Sequence, residues 1–160
     1  MAGAVRAYAN AFHPLYLNVH AAGGRKMLQE AQTACPPQTN LLGVTVLTSL
    51  QEQDLTETGA QSDLQKRVQQ LALLTQQCGL SGVVCSGHEI TALRKSCGPD
   101  FVLMVPGIRP AGTDSHDQQR TLTPPEALKA GASHLVIGRP ITQAADPAQA
   151  AQEILSNLRA

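Results

Sequence analysis

Apolar residues in this chain fall into short runs separated by longer amphipathic stretches. The runs lie at 15–20 (LYLNVH), 41–48 (LLGVTVLT), 82–86 (GVVCS), 101–105 (FVLMV) and 134–137 (HLVI). Each is closed by glycine, proline or a polar turn and reads as a strand. The runs are nearly continuous rather than alternating, which is the pattern of parallel strands covered on both faces. Helices are expected between them. The Ala-rich 2–12 is one, and 25–34 is another, ending before Pro36-Pro37, which cannot continue it. The longest is 63–78, where Leu64, Val68, Leu71, Leu74 and Thr75 fall at three- and four-residue spacing and form one stripe. Gly79 supplies its left-handed cap. A helix over 88–96 closes at Cys97-Gly98. The next opens on Thr123-Pro124-Pro125-Glu126, an N-cap with proline in the first turn and a capping glutamate, and ends at Gly131. The last runs from the Asp146-Pro147 cap towards Leu158. Residues 50–61 are polar and irregular, or hold one helical turn.

Strand and helix alternate throughout, so the class is α/β with a parallel sheet, and no linker divides residues 1–160. Only five strands are visible. A closed βα barrel has eight and spans about 250 residues. The chain therefore reads as an open five-stranded sheet or as a partial barrel that lacks its first third.

Charge and composition remove several functions. There are 12 basic and 12 acidic residues and a net charge of zero, without the basic excess of a nucleic-acid or membrane-surface binder. Aromatic residues make up 2% and Trp is absent, so base-stacking platforms are not expected. No apolar run is long enough for a membrane span, and 1–12 lacks the core of a signal peptide, so the expected location is cytoplasmic. The four cysteines, Cys35, Cys78, Cys85 and Cys97, include no C-x-x-C pair. Cys85 reads as a small buried hydrophobe, and no metal site is expected.

The candidate chemistry sits at the carboxyl ends of the strands, where parallel α/β proteins bind ligands. Two successive strands each deliver a glycine and an arginine there: Pro106-Gly107-Ile108-Arg109 and Gly138-Arg139. Arginine presents a planar fork matched to phosphate, and a glycine lets the backbone amide approach closely. The plainer alternative is a surface ion pair for Arg139 and a simple turn at Gly138. Gln118, in the long polar stretch 110–122, either donates its amide to a phosphate oxygen or stays an exposed loop residue. The hydroxyls of Thr48-Ser49 either touch a ligand or cap the following turn. His20 ends the first strand and reads first as a structural histidine. Lys26, Lys66, Lys95 and Lys129 all fall on expected helices, so no lysine–carboxylate cluster forms at the ligand edge. The chain looks equipped to bind and poorly equipped to react.

The motifs LNVHAAGG (17–24), GVTVLTSL (43–50), CGLSGVVCSGHE (78–89), VPGIRPAG (105–112), DQQRTLTPPEALKAGA (117–132) and LVIGRPIT (135–142) occur in order. In these the chain resembles the carboxyl-terminal two-thirds of bacterial orotidine 5'-phosphate decarboxylase. The resemblance implies a (β/α)₈ barrel, here the last five strands of eight. It implies decarboxylation of orotidine 5'-phosphate to UMP, the last step of pyrimidine nucleotide synthesis. The family uses no metal and no organic cofactor, and the full-length enzyme is expected to be a homodimer. By the same resemblance Gly138, Arg139 and Gln118 bind the substrate phosphate, and Thr48 and Arg109 are further substrate-binding positions. Val105 stands where relatives often carry Thr. The family's Asp-x-Lys-x-x-Asp catalytic segment does not occur in the 160 residues. It is expected before Met1, which leaves this chain without a catalytic residue and inactive alone. The alternatives are a phosphate-binding or complementing barrel fragment, or a related sugar-phosphate barrel enzyme.

Overall fold

The five apolar runs assemble into one parallel sheet. In the structure, a computed structural model that describes residues 1–60, 63–109 and 122–158, the strands are β1 (Tyr16–His20), β2 (Asn40–Val44), β3 (Gly82–Val84), β4 (Val102–Val105) and β5 (His134–Leu135). They lie side by side in chain order. Tyr16 stands opposite Asn40, Leu42 opposite Gly82, Gly82 opposite Val102 and Met104 opposite His134. The ladder continues past the regular strands: the Thr45 amide donates to the Val84 carbonyl (3.2 Å), Cys85 to Met104 (3.1 Å) and Val136 to Val105 (2.9 Å). The second run is shorter than its apolar letters suggest. Its tail, Leu47 to Leu50, folds into a turn closed by the Leu50 amide on the Leu47 carbonyl at 3.0 Å.

The helices are α1 (Ala2–Phe12), α2 (Gly24–Ala34), α3 (Glu52–Glu57), α4 (Leu64–Gln77), α5 (Ile90–Cys97), α6 (Pro124–Ala130), α7 (Arg139–Thr142) and α8 (Pro147–Asn157). The predicted caps are in place. Gly79 and Gly131 take positive φ (80° and 108°), the Asp146 carboxylate accepts from the Gln149 amide at 3.0 Å, and Thr123 and Glu126 form a capping box. α3 is the short helix within the polar stretch 50–61, and α7 was not legible as a helix. α3 grows from a second box, in which the Gln51 amide donates to Asp54 Oδ2 at 2.7 Å. α7 is a single turn in which Gly138's carbonyl accepts from Ile141 (2.8 Å) and Thr142 (3.0 Å). Among the described residues no helix is long and apolar enough to cross a membrane.

One face of the sheet is packed by the chain's own helices. Val83, Cys85, Leu103 and Val105 meet Val68, Leu71 and Ala72 of α4, Ile90, Leu93 and Cys97 of α5, and Ala127 of α6. A second cluster joins Val5 of α1, Leu28 and Ala31 of α2, and Val19 and Leu41 of the strands. Cys85 is buried as expected, and burial pushes its thiol pKa up. Alternate residues point the other way. On that face Asn18 and His20 of β1 and His134 and Val136 at β5 are exposed.

The sheet curls. Laid flat, β1 and β5 would stand about 19 Å apart at the usual strand spacing. Yet the Tyr16 hydroxyl is 2.8 Å from His134 Nε2, and the two rings meet edge-on with centroids 5.0 Å apart. Two side chains span the open side, so the sheet is an arc that brings its ends towards each other. Of the two readings that the strand count left open, an open sheet and a partial barrel, the arc is the partial βα barrel.

Two glycines hold the layers close. A Cβ on Gly43 would stand 2.5 Å from Thr75 Oγ1 of α4, and one on Gly82 would run into the Val102 backbone carbonyl of the adjacent strand. A side chain can shift, whereas a ladder carbonyl cannot without breaking β3–β4. Gly43→Ala is expected to cost about 1–3 kcal/mol by overpacking, and Gly82→Ala more, in urea unfolding followed by circular dichroism. Equal midpoints for Gly82→Ala and wild type would contradict this packing.

Candidate ligand site

The carboxyl ends of all five strands lie on one edge of the arc, because every pair is parallel and in step. That edge carries His20 at the end of β1, Thr48 beyond β2, Ser86 beyond β3, Arg109 beyond β4, and Gly138 with Arg139 beyond β5.

Arg109 is the most constrained of these. Beyond β4 the chain turns at Pro106-Gly107, with Gly107 at φ 77°. It then forms a short parallel bridge, Ile108 opposite Leu122, and the Arg109 amide donates to the Leu122 carbonyl at 3.0 Å. The bridge joins described residues on either side of the polar sequence 110–121. Ile108 is fully buried, and Leu122 packs on the main core. Arg109 itself is only 7% exposed. Its Nη1 donates to the Ile108 carbonyl (3.2 Å), and its Nε is buried without a hydrogen-bond partner. A guanidinium removed from water with an unused donor is costly unless an acceptor meets it.

Gly138 differs from the packing glycines. Its φ is −102°, so left-handed backbone does not require a glycine here, and a Cβ there would meet nothing within 4 Å. The space over its backbone is open. Arg139 follows as the first residue of α7 and is half-buried. β4 and β5 are adjacent, so Arg109 and the Gly138-Arg139 pair rise from neighbouring strand ends.

Thr48 is half-buried in the turn after β2. Thr48 and Ser49 line a cleft of about 370 Å³ with Gln51, Glu52 and Leu64. They do not cap α3, since Gln51 has that role. His20 is exposed and lines a separate, smaller cleft with Thr45 and Arg67, so it is not a core histidine. Ser86 was not singled out by the sequence. It is fully buried and opens a capping box over Gly87–Glu89, in which its amide donates to Glu89 Oε2 at 2.8 Å. Its S-x-x-E spacing with Glu89, the signature of a capping box, could have flagged it. Gln118 lies outside the described residues. Among the described residues no three His, Cys, Asp or Glu side chains converge as metal ligands.

Known proteins match this chain over most of its length. The family model described as "Orotidine 5'-phosphate decarboxylase / HUMPS family" matches residues 3–154. The orotidine 5'-phosphate decarboxylase of Chromohalobacter salexigens is 50% identical over 151 residues, covering 92% of this chain and 63% of that protein. That of Moorella thermoacetica is also 50% identical, covering 89% of this chain and 60% of its own length. The chain thus spans about three-fifths of these relatives. The crystal structure of orotidine 5'-phosphate decarboxylase from Lactobacillus acidophilus superimposes with a TM-score of 0.85 at 33% identity, covering 99% of this chain and 69% of that one.

Downstream of the 110–121 stretch, the anchor is the α6 cap. The Thr123 amide and hydroxyl donate to Glu126 Oε2 at 2.9 and 2.6 Å. The side-chain bond, then the backbone bond, hold the Glu126 carboxyl below its ordinary value of 4.5. A depressed folded-state pKa contributes stability above the ordinary value, and that contribution is lost as pH falls through the depressed one. Thr123→Val is expected to return the Glu126 midpoint towards 4.5 in an NMR titration of its carboxyl carbon. An unchanged midpoint would assign the shift to another cause.

Proposed function

Because the chain belongs to the orotidine 5'-phosphate decarboxylase / HUMPS family, we propose that it carries the phosphate-holding part of an enzyme that converts orotidine 5'-phosphate to UMP. The observation that carries this reading is the pairing of Arg109 with Gly138-Arg139 on adjacent strand ends, one cation buried with an unused donor and one backbone left open. Two guanidinium groups supply charge-assisted, fork-shaped donors to a phosphate dianion, and the open glycine lets the ligand come up to the main chain. Gln118 adds an amide from the sequence between Arg109 and Leu122, and Thr48 adds a hydroxyl from the turn beyond β2. In the enzyme as a whole, binding energy from this remote phosphate is spent on the reacting end of the substrate. That end needs a proton donor for the carbanion left by loss of CO₂. The 160 residues contain no Asp-x-Lys-x-x-Asp segment, so the chain by itself binds without turnover.

A second reading, that the chain completes a barrel together with a separate piece, has its own observation. β1 pairs only with β2 among the described residues. On the same flank α1 exposes Tyr8 (50%) and Phe12 (68%), whose rings touch at 4.6 Å. An unpaired strand edge beside an uncovered helix face is what one further βα unit would bury. Co-expression with the amino-terminal part of a relative is then expected to restore decarboxylation, and failure of the pieces to associate would remove this reading.

The phosphate reading is tested by titrating UMP into the purified chain by calorimetry. Binding is expected, and Arg139→Ala should weaken it roughly ten- to a hundredfold, the worth of hydrogen bonds to a charged group. No orotidine 5'-phosphate should be consumed. Equal UMP affinity for Arg139→Ala and wild type would sink the assignment, and turnover abolished by that substitution would overturn the claim of inactivity.

A further inference from the structure

At the opposite end of the strands, Arg94 gathers the approaches to both ligand-bearing strands. It lies on α5, and its side chain reaches two connections at once. Nη1 donates to the carbonyls of Gly98 (2.7 Å), Pro99 (2.8 Å) and Phe101 (2.8 Å), which lead from α5 into β4. Nε and Nη2 donate to the Gly131 carbonyl (3.2 and 2.7 Å), in the left-handed cap between α6 and β5. Nη2 also reaches Ser133 Oγ at 3.2 Å. That hydroxyl accepts from the Leu103 amide at 3.1 Å, while the Ser133 amide donates to the Leu103 carbonyl at 2.9 Å. One guanidinium therefore closes a network that spans the entries of β4 and β5.

The sheet alone holds β5 weakly. Its regular pairing with β4 is only Met104–His134 and Val105–Leu135. A one-residue slip in so short a ladder would turn Leu135 and Ile137, which pack on the core, to the open face. It would also move Gly138-Arg139 by one residue relative to Arg109. We infer that Arg94 is a positioning residue: by fixing where β4 and β5 begin, it sets the register of their far ends and hence the separation of Arg109 from Gly138-Arg139. Lysine does not replace it. An ammonium is a single point and cannot serve carbonyls on both connections in the plane of a fork. The effect on ligand affinity rests on the phosphate reading above, whereas the effect on register does not.

The test compares wild type, Arg94→Lys and a control, Val19→Ala, which trims the second core cluster away from β4 and β5. Two quantities are read: UMP affinity by calorimetry, and amide exchange at Ser133 and Val136 relative to Asn40, whose amide bonds the Leu15 carbonyl beside β1. Arg94→Lys is expected to speed exchange at Ser133 and Val136 roughly tenfold over Asn40, by local opening of β5, and to weaken UMP binding. Val19→Ala, compared at an equal interval below its melting temperature, should do neither. If Arg94→Lys does not fold, Ser133→Ala removes only the bridging hydroxyl, and the same selective exchange is expected. Exchange that rises uniformly in both variants, or stays at the wild-type rate at Val136, overturns the inference. Absence of UMP binding in wild type would instead overturn the phosphate reading, and Arg94 would then be judged on exchange alone.

Discussion

A parallel strand needs cover on both of its faces, and most of this structure follows from the fact that the described helices cover only one. α4, α5 and α6 bury the outward side of β3 and β4, and α1 and α2 bury that of β1. The inward sides of the end strands have no such layer, so Asn18, His20, His134 and Val136 stand exposed. Curling is the geometric response. It brings the inward side chains of opposite ends into each other's reach, which Tyr16 and His134 realise with a hydrogen bond and an edge-on ring contact. A flat sheet would leave both apolar and polar backbone edges fully open to other chains. The arc shelters part of that surface without closing it.

How much of this could be read from the letters depends on how local the causes are. The strands were legible because double-sided burial writes itself as an unbroken apolar run, and the caps because Asp146, Thr123 and the glycines act within three or four residues. α3 was legible as no more than one turn, since its cap is a Gln51–Asp54 pair and not the usual hydroxyl box, and because Leu55 is its one buried residue. The short second strand was hidden because Val46 remains buried after the ladder has ended, so its apolar letter marks core and not strand. At the ligand edge, Arg109 was legible as a position but not as a buried group. Its burial comes from the Ile108–Leu122 bridge, a contact between residues on either side of a long polar stretch, which no local pattern encodes.

The edge also shows why a binding site and a packing site can look alike in sequence. Gly43, Gly82 and Gly138 are equally plain as letters. The first two are glycine because Thr75 and the Val102 carbonyl leave no room, whereas the third has room to spare. Only the structure separates them, and the separation runs in the direction of function: an unfilled volume at a strand end, next to cationic side chains, is an arrangement that stability alone does not require.

Barrel proteins are usually divided into a carboxyl-terminal edge that binds and an amino-terminal edge that stabilises. In this chain the division holds for side chains but not for geometry. Arg109 and Arg139 rise from different strands, and each is placed by the start, length and register of its own. β4 has four residues and β5 two, so neither is long enough to fix its register through ladder bonds alone. The placing must come from where the strands begin, and there the Gly98–Phe101 and Gly131–Ser133 connections are tied to a single guanidinium. Short strands therefore make the far edge part of the site's construction: the fewer rungs a ladder has, the more its ligand end depends on its entry.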